Sequence, residues 1–330
     1  SQPRVTATPP RNLNGRLEMD GYDDIWVPLP IRSSGVAEKL CGGKPPKYQA
    51  PKQLDRSKTV VIGIIDDAVN VAHENFDDEN GITRFDYLWV QDANTSPLAA
   101  DGSATSFVAY GREVNLTKIE QARAKHGTNE EAIWRHLHMV SGGDDYRRNA
   151  LQMRRAHGTH IADLAAGKRE PGGGTVNLRV VGVQIPVLAT QDTSGASLIA
   201  VVADAARYIY QRALRISEAL QTPVPVVLNL SYGISVGARD GKHLLDRLLQ
   251  KYAAEYRDAT AKLNSNAKAA PAIAVLPAGN GHLARGHARS ETGSLDLRLQ
   301  IQPQDETSSY VEIWFSGDAS SIKLNIAPPG

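Results

Sequence analysis

Thr59-Val60-Val61-Ile62-Gly63-Ile64-Ile65-Asp66-Asp67 is the stretch on which the fold turns. From Thr59 to Ile65 every residue except Gly63 is β-branched, the pattern of a strand buried on both faces of a parallel sheet. Two carboxylates close it. In open α/β sheets, sites are built at the carboxyl ends of strands, so Asp66 and Asp67 stand where chemistry is expected.

Working downstream, the alternation becomes regular after residue 157. A helix opens at His157, a strand spans residues 178–185, and a long helix runs over 196–220. A strand at 224–230, a helix at 242–263 and a strand at 272–276 complete the series. Strands alternating with helices imply an α/β fold, a mostly parallel sheet with helices on both faces. Between them, residues 77–155 read as an insertion that is acidic and aromatic, with amphipathic stretches at 116–125 and 130–140. Upstream, residues 1–58 are rich in Pro, Gly, Arg and Lys and read as an extended arm around one apolar patch, Ile25-Trp26-Val27. Beyond Gly293 the period becomes two, in Leu295-Asp296-Leu297-Arg298-Leu299-Gln300-Ile301, Tyr310-Val311-Glu312-Ile313-Trp314-Phe315 and Ile322-Lys323-Leu324-Asn325-Ile326. These predict three half-buried strands, so 289–330 reads as the start of an inserted β-domain, an incomplete antiparallel β-sandwich of jelly-roll type. The division is therefore arm 1–58, α/β domain 59–288 and β-segment 289–330.

Composition narrows the function. The 330 residues carry a formal charge of +1, so no global field draws the chain onto nucleic acid or an anionic membrane. No apolar run reaches the ~20 residues of a membrane span. The start, Ser-Gln-Pro-Arg, has no signal-peptide core, which favours the cytoplasm over secretion. Cys41 is the single cysteine, so neither an intrachain disulfide nor a thiolate metal cluster can form.

His157-Gly158-Thr159-His160, opening a helix after a strand that ends in Asp, is the pattern of a hydrolase in which a buried acid orients an imidazole. Another His-Gly-Thr, at His126 to Thr128, lacks that context and reads as a helix end. In Pro277-Ala278-Gly279-Asn280-Gly281 a strand delivers an amide on a Gly-flanked turn, suited to donate to an oxyanion. In Leu228-Asn229-Leu230-Ser231-Tyr232-Gly233 a buried strand runs out into a segment against which an extended peptide could pair.

Together, in this order, Ile64-Ile65-Asp66, His157-Gly158-Thr159-His160-Ile161-Ala162, the Gly195-Ala196-Ser197 helix start, Leu228 to Gly233 and Pro277 to Asn280 resemble the landmarks of the subtilisin-like serine peptidases, the subtilases, over roughly residues 59–281. The resemblance implies Asp66 as triad acid, His157 as general base, Asn280 as oxyanion donor, Ser231, Tyr232 and Gly233 as substrate-binding residues, and a polypeptide substrate. The sequence departs from that family in four ways. Asp67-Ala68 stands where Ser or Thr followed by Gly is usual. Asp163 replaces a small residue, and 91 positions separate Asp66 from His157. The fourth is the nucleophile: the family's Gly-Thr-Ser helix start is missing, and Ser294, Ser308, Ser309, Ser320 and Ser321 all adjoin alternating segments.

Two readings follow. One is the amino-terminal portion of a serine endopeptidase whose nucleophile lies on a C-terminal remainder of the same protein. The other is a pseudoprotease that binds peptides or a partner protease without cleavage. No cofactor is required by either, although Asp77-Asp78-Glu79 offers a structural calcium site whose plain reading is a solvated turn. A metal-dependent hydrolase using Asp66, Asp67, His157 and His160 is a third reading, with no His-Glu-x-x-His or similar spacing behind it.

Overall fold

A doubly buried strand persists only if layers cover both faces, and the chain supplies them. The structure is a computed structural model. It describes residues 16–19, 22–26, 48–52, 54–92, 108, 110–140, 150–168, 176–190, 195, 198–235, 237, 240–263, 268–291, 293–301, 303–304, 311–315 and 323–325. Within the arm, β1 (Arg16–Met19) and β2 (Tyr22–Trp26) pair antiparallel with each other. The arm's end rests on the core through Tyr48, Ala50 and Leu54.

The opening run forms β3 (Thr59–Asp66). It is joined by β4 (Phe85–Val90), β5 (Arg112–Asn115), β6 (Asn177–Gln184), β7 (Val226–Leu230) and β8 (Ala272–Val275) in one six-stranded sheet of order β5-β4-β6-β3-β7-β8. Neighbours are parallel except β4 and β5. The strands on either side bring Gln184 opposite Asp66 and Leu230 opposite Ile65.

The α-helices among the described residues are α1 (Leu116–His126), α2 (Glu130–His136), α3 (His157–Ala166), α4 (Val187–Thr190), α5 (Leu198–Leu220) and α6 (Leu244–Thr260). Successive side chains of β3 point to opposite faces. Val61 and Ile65 pack with α5 and α6 side chains such as Ile209 and Leu249. Ile62 and Ile64 share a second core with Ile119 of α1, Trp134 of α2 and Ala162 of α3. The sheet is thus covered on both sides, as the α/β reading requires.

Residues 77–155, read as a surface insertion, instead contribute β4 and β5 to the sheet, with α1 and α2 packed in its core. Every residue of β4 is buried, including Asp86. Asp86 accepts from Arg179 of β6 at 2.5 and 3.1 Å and from the Tyr48 hydroxyl at 3.1 Å, while Arg179 also donates to the Thr83 carbonyl. A second buried pair joins Arg212 of α5 to Glu113 of β5 at 2.5 Å, with the Tyr208 hydroxyl donating to the same carboxylate at 2.8 Å. Fully hydrogen-bonded, such pairs are tolerated in a core.

The three alternating stretches behave differently from expectation. Residues 294–301, 311–315 and 323–325 form no strand and are exposed. Period-two alternation specifies a strand only when a partner ladder and a covering layer receive it, and neither meets these segments among the described residues. Among the described residues of 289–330 no β-sandwich is seen; residues 305–310, 316–322 and 326–330 lie outside them. On the same flank β8 lies open, with Ile273 54% and Val275 46% exposed.

Candidate active site

Parallel strands end on one edge, and the carboxyl ends of β3, β7 and β8 bring the sequence-derived residues there. Asp66 closes β3 and is wholly buried. His157 opens α3 and its side chain is 52% exposed. Between them Asp66 Oδ1 and His157 Nδ1 lie 2.7 Å apart. The same Oδ1 accepts from the Asp67 amide at 2.8 Å, while Oδ2 is buried with no hydrogen-bond partner among the described residues.

The His-Gly-Thr motif explains this approach. A Cβ on Gly158 would collide with the Asp67 carbonyl oxygen and stand 2.8 Å from Asp66 Cβ, so only glycine lets α3 meet the strand end. Thr159 then fastens the loop after the strand: its hydroxyl donates to the Ala68 carbonyl at 2.7 Å and accepts from the Asn70 amide at 2.9 Å. Asn70 is fixed from the far side of the loop by α2, since its side chain donates to Glu130 at 3.0 Å and accepts from Trp134 Nε1 at 2.8 Å. Ala68, at the family's glycine position, holds φ at 40°, a left-handed conformation unfavourable for an L-residue.

Burial pushes the Asp66 carboxyl up to about 6, against the opposing pull of its His157 hydrogen bond. Asp67 is half-buried, and it accepts from the Gly158 amide at 3.3 Å. The Tyr232 hydroxyl hydrogen-bonds to Asp67 as well, and burial together with that carboxylate pushes the phenol upward. The Tyr232 ring in turn meets His157 edge-on, with centroids 6.0 Å apart.

Ser231, Tyr232 and Gly233 leave the end of β7, where Asn229 Nδ2 donates to the Ser231 hydroxyl at 2.8 Å. Gly233 faces the turn after β8, a Cβ there lying 3.7 Å from Gly279 Cα. Asn280 follows Gly279 on that turn, exposed at the same edge and two strands away from Asp66. A cleft of about 280 Å³ runs beside Tyr232, lined by Leu230, Ile234, Leu245, Leu276 and Pro277, with His243 and Asp246. The arrangement thus joins a buried acid, an imidazole half open to solvent, and a groove between two strand ends.

Asp66, Asp67 and His157 each offer one ligand atom, all within 4.8 Å of one another. His157 Nδ1 already faces Asp66 and Asp67 already accepts from Gly158 and Tyr232. His160, on the same helix, is exposed. Asp163 anchors the Asn75 side chain through a hydrogen bond. In the acidic run, Asp77 accepts from Arg123 at 2.8 Å and Asp78 accepts the Asn80 and Ile82 amides of its own turn. Sequence reading missed Thr159 as a staple and Asn70 as the junction with α2; only the threonine's place in His-Gly-Thr could have pointed to it. No helix among the described residues is long and apolar enough to cross a membrane.

No curated protein matches the chain. Among solved structures it is similar to the CspB protease of Clostridium perfringens, with 18% identity and a TM-score of 0.36 over 67% of this chain and 35% of that one. The chain therefore spans about a third of that protein's length. The subtilase family model matches residues 57–311. With well over half of its length matched, and with the family's landmarks in order along it, the chain belongs to the subtilase family of serine peptidases.

Proposed function

We propose that the chain is the amino-terminal portion of a serine endopeptidase that hydrolyses peptide bonds through an acyl-enzyme. Asp66 fixes the imidazole tautomer with the proton on Nδ1 and stabilises the imidazolium. His157 uses Nε2 to take the proton of a serine hydroxyl, which attacks the scissile carbonyl, and returns it to the leaving amine. Asn280 donates to the oxyanion, and the Ser231 to Gly233 segment pairs with an extended polypeptide. The serine comes from a C-terminal remainder of the same protein, which also covers β8. The observation that carries this reading is the 2.7 Å contact of the wholly buried Asp66 with an imidazole that is half open to solvent.

One observation favours a second reading, a subtilase-like protein that binds peptides or a partner protease without cutting: the sequence of these 330 residues contains no Gly-Thr-Ser triplet. Fluorophosphonate labelling separates the two. Expressed together with the segment that follows residue 330 in the natural protein, the endopeptidase labels on that segment. His157→Ala then removes nearly all turnover, and Asn280→Ala lowers it by ~10² to 10³. A natural full-length protein that binds peptides but does not label leaves the pseudoprotease as the function.

A further inference from the structure

Away from this edge, two imidazoles meet at the end of a helical hairpin. His126 is the last residue of α1 and His136 the last of α2, the former half-buried and the latter exposed. His126 Nε2 lies 3.3 Å from His136 Nδ1, with ring centroids 5.1 Å apart and planes inclined by 61°. Two imidazole nitrogens bound to one tetrahedral zinc at 2.0–2.1 Å stand about 3.3 Å apart, with ring centres about 5.2 Å apart. A head-on N–H···N bond of that length would hold the ring centres about 5.6 Å apart. The observed spacing of 5.1 Å is nearer the shared-ion value.

We propose that His126 Nε2 and His136 Nδ1 form a binding site for a divalent transition-metal ion of the zinc class, with its remaining positions open to water. Imidazole selects borderline ions such as zinc, copper and nickel over magnesium or calcium, which take oxygen. With the metal bound both donor nitrogens are bare and each ring keeps its one proton on the other nitrogen, His126 Nδ1 and His136 Nε2; the metal-free pair, in hydrogen-bond contact, carries a proton on one of the facing nitrogens, which shifts to the far nitrogen of its own ring.

The ion would clasp α1 to α2. Because Glu130 and Trp134 of α2 hold Asn70, the clasp steadies the loop that follows Asp66. It would act on the site through position, without touching it.

The test is calorimetric titration of the chain with zinc chloride alone, comparing it with H126A, H136A and, as a control, H287A, an exposed histidine elsewhere. Asp66, Asp67 and His157 are another group of ligands, so the quantity read is the difference between proteins. H126A and H136A should each lose one equivalent of zinc or at least about tenfold in affinity, H287A neither, and magnesium should not compete. Imidazole proton resonances of His126 and His136 in the unmodified chain should shift together on adding zinc, a readout independent of any variant's folding. Zinc titrations of both variants that superimpose on that of the parent, or resonances that stay put at saturating zinc, overturn the proposal.

Discussion

The two flanks of the central sheet are built in opposite ways. On the β5–β4 side, two carboxylates sit inside the protein, each with a counter-charge and a further hydrogen bond: Asp86 with Arg179 and Tyr48, Glu113 with Arg212 and Tyr208. On the β8 side, apolar groups face water: Ile273, Val275, Leu276 and Leu283 are all exposed. One flank buries what is polar and the other displays what is apolar. The first is finished because its partners are within the chain; the second carries apolar side chains that nothing among the described residues covers.

The sharpest way to break this contrast is to cut both flanks. Asp86→Ala leaves Arg179 buried and unpaired, so the loss should be about 3–5 kcal/mol, whereas Ile273→Thr, at an already wet position, should change stability by less than about 0.5 kcal/mol. Urea melts of the two variants check this; similar losses would mean that β8 is as well covered as β4.

A middle-sized effect belongs to the edge between the flanks. The folded Asp66 carboxyl, pushed up to about 6 from 3.8, binds its proton more tightly than in the unfolded chain. Its contribution to stability therefore falls as pH rises from about 4 to 6 and is level above that. Asp66→Asn should raise stability at pH 7 by up to ~3 kcal/mol, with the gain shrinking toward pH 4. Melts across that range decide it, and a variant less stable at pH 7 would show that the His157 contact outweighs burial.

The smallest effect is local. Ala68→Gly, which relieves the positive φ beside the site, should add about 0.5–1 kcal/mol, read from the urea midpoint. A loss there would mean that the Ala68 methyl contributes more by packing than its backbone conformation costs.

How much could be read from the chain alone follows from how local each signal is. β3, α3 and α5 announce themselves in consecutive residues, and so do Asp66 and His157 at their ends. β4 does not: Phe85-Asp86-Tyr87-Leu88-Trp89-Val90 carries an acid whose burial makes sense only through Arg179, 93 positions away. The alternating segments after Gly293 err in the other direction, since a period of two specifies a face and not the ladder that must receive it. Ala68 was visible as a departure from the family's glycine, but its left-handed backbone was not.

The fastening of Asn70 also has a kinetic meaning. Its partners Glu130 and Thr159 are 60 and 89 positions away, and Asp66 meets His157 across 91. Each contact closes a long loop before it yields any interaction energy, and the ladders of β3 with β6 and β7 span more still, 118 positions for Thr59–Asn177 and 165 for Val61–Val226, so sheet and site alike rest on slow long-range closure. Substitutions at Asn70 or Thr159 that accelerate unfolding and leave refolding unchanged would show the loop fastened only after the sheet has formed.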